Sequence, residues 1–220
     1  MKYRLIIFDF DGTLADTFQW FGQVLDGATE RFRLRALTSE DVERLRGCSA
    51  RKIIKDLGIP AWKLPLLARH IRQATAEHLE QLRLFPGVDD LLRGLVQHGV
   101  VLSIVSSNSE ENVRAILGPD TAKLISVYEC GASLFGKAAK FKRALKQTGI
   151  DRSAALCIGD EIRDYEAAQK AGIAFGAVSW GYTHRQALEA LTPDALFDRP
   201  EAIDEWSSGI SSGLNPAESA

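Results

Sequence analysis

Short runs of apolar residues, each bounded by turn residues, recur along the chain with helical patterns between them. The runs are continuous rather than alternating, which is typical of parallel strands that are buried on both faces. Because strand and helix alternate, the pattern predicts an α/β fold with a doubly wound parallel sheet. The predicted strands are Leu5–Phe8, Val100–Val105, Leu124–Tyr128, Ala155–Ile158 and Ile173–Val178.

One region interrupts this alternation. Between Ala15 and about Leu84 the apolar spacing is helical, and no segment has the pattern of a strand. Thr38 and Ser49 stand where helix N-caps are expected. The pattern therefore predicts an all-helical insertion after the first strand, with Pro86 starting the next helix of the sheet region.

The patterns divide the chain into two expected parts and an end segment. A Rossmann-like core is expected at residues 1–15 and 85–206, and a helical cap at residues 16–84. Residues 207–220 are rich in Ser and Gly and poor in large apolar side chains, so we expect a flexible tail there.

Composition and charge restrict the class of partner. The chain has 45% hydrophobic and 25% charged residues, as soluble proteins ordinarily do. A formal net charge of −2 and the lack of a dense basic run argue against nucleic acid. The N-terminus enters a strand almost at once, which fits neither a signal peptide nor a membrane span. We expect a cytoplasmic monomer or homodimer with no membrane partner.

The first predicted strand leads directly into two acids, in the segment "RLIIFDFDGT". Asp9 and Asp11 would lie at the carboxyl edge of the sheet, where open α/β sheets place their ligands. Residues two apart on an extended segment point the same way, so both carboxylates can reach one bound group. Gly12 lets the backbone turn toward an anion, and Thr13 can donate a hydroxyl hydrogen bond.

Two further segments would reach the same edge and offer hydrogen-bond donors. "VVLSIVSSNS" ends a strand with Ser106, Ser107 and Asn108, whose hydroxyl and amide groups suit phosphate oxygens. "FGKAAKF" places Lys137 at the start of a helix. Taken alone, the first segment is equally typical of a turn and helix cap, and a single lysine is usually solvated.

A third segment, "LCIGDEIRDYEAA", supplies more acids after another strand. Asp160, Glu161 and Asp164 fall within five residues, and carboxylate oxygens are the ligands that Mg²⁺ prefers. Acids at a helix N-terminus also stabilise the helix dipole, by about 0.3–1 kcal/mol each. The combination of all these segments favours a Mg²⁺ and phosphate site over separate caps.

In order and spacing, these motifs resemble the haloacid dehalogenase-like hydrolase superfamily. The matching motifs are "DFDGT", "VSSN", the lysine of "FGK" and "GDEIRD", and the match spans residues 4 to about 185. "SWGY", followed by "PDALFDRPEAIDE", is similar to the end of the core in the phosphoglycolate phosphatase-like branch, which carries a helical cap after the first strand. The resemblance implies a phosphatase that hydrolyses a small phosphorylated metabolite such as phosphoglycolate.

The resemblance also implies the roles of the acids. Asp9 would be the nucleophile that forms an aspartyl-phosphate. Asp11 would first protonate the leaving group and then activate water. Mg²⁺ would be held by Asp9, the backbone carbonyl of Asp11, and Asp160, with Asp164 as a further ligand or as an orienting residue.

The phosphate contacts leave two choices open. The resemblance assigns the transferring oxygens to Ser107 and Lys137, with Ser106 and Lys140 as alternatives. Many relatives have proline after this lysine, whereas here the lysine is followed by an alanine, Ala138, so the choice between the lysines stays open.

The expected cap would supply specificity and exclude water. Its candidates lie in "RLRGCSARK", where Arg46, Gly47 and Arg51 link two helical patterns, and arginine suits a second anionic group on the substrate. We expect Arg51 to contact substrate.

Two other function classes use the same residues. A β-phosphoglucomutase-like phosphotransferase would return the phosphoryl group to a second sugar hydroxyl, and "GCSAR" is loosely similar to the cap loop of that branch. A non-catalytic binding module on the same fold would normally have lost an acid. The presence of Asp11 argues against dehalogenation, since displacing halide needs no acid at that position.

Overall fold

Strands and helices alternate along the chain in the structure, a computed structural model that describes residues 2–131 and 136–207. The strands are β1 (Leu5–Phe8), β2 (Ala15–Asp16), β3 (Arg83–Leu84), β4 (Val101–Val105), β5 (Ile125–Glu129), β6 (Ala155–Gly159), β7 (Ala174–Val178) and β8 (Ala195–Phe197). The helices are α1 (Phe18–Phe32), α2 (Ser39–Leu45), α3 (Ala50–Asp56), α4 (Leu64–Glu77), α5 (Val88–Gln97), α6 (Glu110–Ala122), α7 (Lys137–Thr148), α8 (Ile162–Ala171), α9 (Arg185–Glu189) and α10 (Glu201–Ser207).

Six strands form the main sheet, in the order β5-β4-β1-β6-β7-β8, and every neighbouring pair is parallel. β1 lies inside the sheet, where Leu5 is in register with Val101 of β4 and Ala155 of β6. The order changes direction around β1, so successive connections cover opposite faces of the sheet. The predicted α/β fold with a doubly wound parallel sheet is confirmed.

The core has two halves, one on each face of the sheet. Ile6 and Phe8 of β1 pack with the apolar side chains of α5 and α6. Leu5 and Ile7 point to the other face and pack with those of α7 and α8. Every residue of β1 is buried, which explains why its sequence is continuously apolar rather than alternating.

Four helices, α1 to α4, lie between β2 and β3. The Thr38 side chain accepts a hydrogen bond from Asp41 N, and the Ser49 side chain accepts one from Lys52 N, so both predicted N-caps are confirmed. α1 and α4 contact each other through Trp20 and Ala74. The division of the chain into a core and a separate cap at residues 16–84 stays a prediction.

The structure differs from the sequence predictions at short elements. The predicted strand-free segment begins and ends in two-residue strands, and Ala15 of β2 pairs with Leu84 of β3 in antiparallel register. α5 begins at Val88 rather than at Pro86, because Gly87 with φ +85° forms its N-cap. Two or three extended residues are too few to produce a strand pattern. The tail predicted for residues 207–220 lies, after Ser207, outside the described residues.

None of the helices within residues 2–131 and 136–207 combines the length and apolar character needed to cross a membrane. The cytoplasmic location and the monomeric or homodimeric state stay predictions.

Candidate active site

The predicted site residues follow three neighbouring strands at one edge of the sheet. Asp9 comes directly after β1, Ser106 after β4, and Asp160 after β6. β1 lies between β4 and β6, and all three are parallel. The fold therefore brings to one place segments that are between about 50 and 150 residues apart in sequence.

Three acids form a buried cluster at this edge. Carboxylate oxygens of Asp9, Asp160 and Asp164 all lie within 4.8 Å of one another. The Asp160 carboxylate is held on both sides, since Thr13 Oγ1 donates to Oδ1 at 2.7 Å and Tyr182 N donates to Oδ2 at 2.7 Å. Such fixed carboxylates are oriented before any ligand arrives.

The backbone approaches Asp160 so closely that only glycine fits beside it. Gly12 has φ +80°, and a Cβ atom there would lie 2.5 Å from Asp160 Oδ2. A Cβ atom at Gly181 would also overlap the Asp160 carboxylate. The glycine of "DFDGT" and the glycine of "SWGY" therefore pack around the same acid.

The two candidate lysines have different surroundings. Lys137 Nζ lies 2.7 Å from Asp9 Oδ2 and also pairs with Asp164 Oδ1. Lys140 Nζ instead donates to the backbone carbonyls of Ser106 and Gly131, each at 2.6 Å. Of the two, only Lys137 pairs with a carboxylate of the cluster in the described part of the chain.

The protonation of the acids follows from burial and from their neighbours. Burial acts against ionisation of Asp9, but the positive charges of Lys137 and Arg163 outweigh it and hold the pKa of Asp9 below its usual value. Burial and the negative charge of Asp9 raise the pKa of Asp11 to about 6. The same two causes raise the pKa of Asp164 to about 7.

The cluster fits a divalent cation. Burial and the nearby charges of Glu161 and Asp9 raise the pKa of Asp160 well above its usual value, so the site disfavours its own full ionisation. A cation among these oxygens would remove that repulsion. Closely spaced carboxylates are the donor set of hard cations such as Mg²⁺.

A cavity of about 430 Å³ opens beside the cluster. Asp11, Ser107 and Asn108 line it at the sheet edge, together with Tyr182. The opposite wall is formed by side chains of α1 to α4 and their connections, and most of these are apolar. A small ligand held at the sheet edge would thus be covered by the helical segment.

The side chain of Asn108 lies near Asp11 and also forms hydrogen bonds with the start of α6. Its Nδ2 lies 3.5 Å from both carboxylate oxygens of Asp11. Its Oδ1 accepts hydrogen bonds from Ser109 N at 2.9 Å and from Asn112 Nδ2 at 3.0 Å. Ser106 is buried and its Oγ accepts from Asn108 N, whereas Ser107 faces the cavity. Of the two serines, Ser107 is the one placed to meet a ligand.

The family described as haloacid dehalogenase-like hydrolase matches residues 6–178, more than half of the chain. The chain belongs to this family. The predicted superfamily is therefore confirmed, and the convergence of the four motifs has its explanation in a shared fold.

Relatives of this haloacid dehalogenase-like hydrolase include phosphatases of more than one substrate. A phosphoglycolate phosphatase of Synechococcus elongatus is 35% identical over 201 residues, which cover 91% of this chain and 95% of that protein. An N-acetylmuramic acid 6-phosphate phosphatase of Pseudomonas aeruginosa is 26% identical and covers 93% and 95%. A solved haloacid dehalogenase-like family protein from Streptococcus pneumoniae has a TM-score of 0.77 at 18% identity, covering 94% and 99%, and shares the fold.

Some predicted residues of the hydrolase have different partners from those expected. The Thr13 hydroxyl, expected to face an anion, donates to Asp160. Arg46 Nε donates to Tyr182 O at 2.9 Å and its Nη2 to Gly181 O at 3.2 Å. Arg51 lines a separate crevice of about 40 Å³ beside Lys137. Backbone carbonyls therefore engage the Nε and Nη2 donors of Arg46. The expected contact of Arg51 with substrate stays a prediction.

Sequence reasoning missed two residues at the site. Arg163 pairs with Glu161, and its positive charge stabilises the ionised form of Asp9. Tyr182 lines the cavity, and its hydroxyl lies 2.8 Å from Thr17 Oγ1. Arg163 stands inside "GDEIRD", but a single arginine in a helical first turn has no spacing signal. Only the fold brings "SWGY" against the loop after β6.

Proposed function

We propose that this hydrolase is a Mg²⁺-dependent phosphatase of phosphoglycolate or a similarly small phosphorylated metabolite. The observation that carries the proposal is the convergence of Asp9, Asp160 and Asp164 within 4.8 Å, beside a cavity that Asp11 lines. The phosphoglycolate phosphatase activity of the relative from Synechococcus elongatus supports this choice of substrate.

Asp9, Asp160, Asp164 and the backbone carbonyl of Asp11 would hold the Mg²⁺. When bound, the ion would neutralise the negative charge that the nucleophile and the phosphate bring together. The buried oxygens of the three acids support this assignment.

Asp9 is the nucleophile in the proposed mechanism. Its lowered pKa keeps the carboxylate ionised, and it attacks phosphorus to form an aspartyl-phosphate while the bond to the substrate oxygen breaks. Asp11, with a pKa of about 6, donates a proton to that leaving oxygen. Asp11 then takes a proton from the water that attacks phosphorus and releases Asp9 and inorganic phosphate.

Lys137 and Ser107 bind the transferring phosphoryl oxygens in this proposal. Lys137 is favoured over Lys140 by its ion pair with Asp9 at 2.7 Å. Ser107 is favoured over Ser106 because it lines the cavity. Positive charge and donors at these positions stabilise the transition state more than the ground state.

The helical segment at residues 16–84 acts as a cap in this proposal. Its apolar side chains form the wall opposite Asp11, which would exclude bulk water from the aspartyl-phosphate. Arg46 connects the segment to the loop after β7 by donating hydrogen bonds to the carbonyls of Gly181 and Tyr182.

The experiment that tests the proposal is phosphate release from phosphoglycolate with Mg²⁺, compared between the wild type and Asp9→Asn. We expect Asp9→Asn to lower kcat by roughly a thousandfold or more, because the amide is not a nucleophile. Asp16→Asn is the matched control, since Asp16 is exposed on β2 and should leave the rate unchanged. Equal activity of Asp9→Asn and wild type would contradict the proposal.

A further inference from the structure

Several arginines of the helical segment could bind a second anionic group on the substrate, in addition to its phosphate. Their surroundings in the structure differ. The guanidinium of Arg46 donates to two backbone carbonyls and lies 4.7 Å from the centre of the Phe18 ring. Arg51 lines the small crevice beside Lys137 rather than the large cavity. Arg72 lies inside the regular helix α4, where nothing in the sequence pattern distinguishes it from the other arginines.

Arg72 is half-buried and is one of the residues that line the 430 Å³ cavity, and its Nη1 atom is fully buried. Nη1 makes no hydrogen bond to any of the residues that the structure describes. The other residues that line this cavity are largely apolar and include Trp20, Ala68 and Ile71. A guanidinium donor without a partner in such surroundings is unfavourable, and an anion would satisfy it.

Hydrogen bonds relate Arg72 to the reacting groups. Asn112 Nδ2 donates to Arg72 O at 3.0 Å and to Asn108 Oδ1 at 3.0 Å. Asn108 Nδ2 in turn lies 3.5 Å from the carboxylate oxygens of Asp11. The backbone of Arg72 is thus connected to the general acid through two asparagine side chains.

This placement matches the direction in which the substrate must extend. Asp11 protonates the leaving oxygen, so the part of the substrate beyond that oxygen lies on the Asp11 side of the phosphate. That side is the cavity. The acids among the described lining residues are Asp11 and Glu161, and Glu161 already pairs with Arg163. No described carboxylate of the helical segment lines the cavity to neutralise Arg72.

We propose that Arg72 is a specificity-determining residue that binds a carboxylate on the leaving-group side of the substrate. The proposal rests on the proposed phosphatase function and assigns the substrate class as phosphate esters of small hydroxy acids. Two guanidinium nitrogens can pair with both oxygens of such a carboxylate. A neutral leaving group of the same size would leave Arg72 without a partner.

The test compares the binding of two phosphonates, which are not hydrolysed, by titration calorimetry in the presence of Mg²⁺. 3-Phosphonopropionate has a carboxylate at the position where propylphosphonate has a methyl group. We expect the wild type to bind 3-phosphonopropionate tighter by roughly tenfold or more, as expected for hydrogen bonds to a charged group. Arg72→Gln should bring the two dissociation constants within about twofold, and Arg72→Lys should keep part of the preference.

Arg69→Gln is the matched control, because Arg69 lies on the same helix and is exposed. It should keep the wild-type preference, and circular dichroism should show the same helix content in all variants. A wild type that binds both phosphonates equally well or equally poorly overturns the assignment, and so does an Arg72→Gln variant with the wild-type preference. If the preference is present but phosphoglycolate releases no phosphate, the proposed function fails while the role of Arg72 stands.

Discussion

Asp11 lines the cavity, and its proposed role can be separated from that of Asp9 by the choice of leaving group. Glycolate needs a proton to leave, whereas p-nitrophenolate leaves without one. We expect Asp11→Asn to slow phosphoglycolate cleavage roughly a hundredfold or more. With p-nitrophenyl phosphate the first turnover should stay near the wild-type rate and be followed by slow turnover, because the aspartyl-phosphate then lacks its general base.

Rapid-mixing absorbance measurements of nitrophenolate would show this burst, with an amplitude close to the enzyme concentration. Asp9→Asn should give no burst. A first turnover that is slowed equally for both substrates would contradict the assignment of Asp11 as the general acid.

Lys140 gives a residue-scale prediction for stability. Burial lowers its pKa to about 8 from the ordinary value of 10.5. Between these two pH values the unfolded chain binds more protons at this lysine than the folded protein does, so the free energy of unfolding gains a contribution that rises with pH. We expect the wild type to become more stable relative to Lys140→Met as the pH rises from 8 to 10.

Urea unfolding at several pH values would measure the difference in free energy of unfolding between the wild type and Lys140→Met. All other titrating groups are present in both proteins, so their contributions largely cancel. Lys142→Met, at an exposed position of the same helix, should show no such trend. A stability difference that is constant or falls with pH would contradict the lowered pKa of Lys140.

The acids could be anticipated at the scale of single residues, but their partners could not. Asp9, Asp11 and Asp160 follow strongly apolar strands, and strand ends are where α/β sheets bind ligands. Arg163 and Arg72 stand in helices with no distinguishing spacing, and their importance comes from what lies opposite them in space. The choice of Lys137 over Lys140 depended on the direction of two side chains three residues apart.

At the scale of elements, the contacts between α2 and the loop after β7 give the next prediction. Arg46, directly after α2, donates to the carbonyls of Tyr182 and Gly181. Each such hydrogen bond contributes about 0.5–1.5 kcal/mol. We expect Arg46→Ala to speed amide exchange at Gly181–Thr183 roughly tenfold and to raise KM, because the helical segment opens more often.

Hydrogen–deuterium exchange and steady-state kinetics would measure the two effects. Arg44→Ala is the control, because Arg44 pairs only with Asp41 and Asp56 among the described residues, all within the helical segment. If Arg44→Ala and Arg46→Ala change exchange at Gly181–Thr183 equally, the contact made by Arg46 does not hold the segment closed.

The longer elements were predictable from their apolar patterns. The five predicted strands correspond to β1, β4, β5, β6 and β7, because burial on both faces imposes a continuous apolar sequence. β8 consists of Ala195–Phe197 and takes its conformation from pairing with β7. β2 and β3 likewise depend on each other, and no local pattern could reveal them.

For the whole molecule, the acidic cluster links metal binding to stability. A ligand that binds only the folded protein stabilises it by about 2.7 kcal/mol at a hundred times its dissociation constant. For a chain of this size we expect saturating Mg²⁺ to raise Tm by roughly 5 to 10 °C over the value with EDTA. Differential scanning calorimetry would measure the shift.

Asp160→Asn should lose most of this shift, since it removes a carboxylate that lies within 4.8 Å of the other two. Asp194→Asn should keep the shift. Asp194 directly precedes β8, so it lies at the opposite edge of the parallel sheet from the acidic cluster. An unchanged Tm of the wild type with and without Mg²⁺ would contradict the assignment of the cluster as a metal site.

The short antiparallel pair of β2 and β3 has a consequence for how this protein can be altered. The chain leaves the sheet at Asp16 and returns at Arg83, and these two residues are partners in one register. The chain enters and leaves the intervening segment through this one pair of residues, so another segment whose two ends lie equally close could be grafted there without disturbing the strand order. Exchange of the segment between Asp16 and Arg83 could therefore change which substrate is accepted, while the proposed catalytic residues after β1, β4 and β6 are kept.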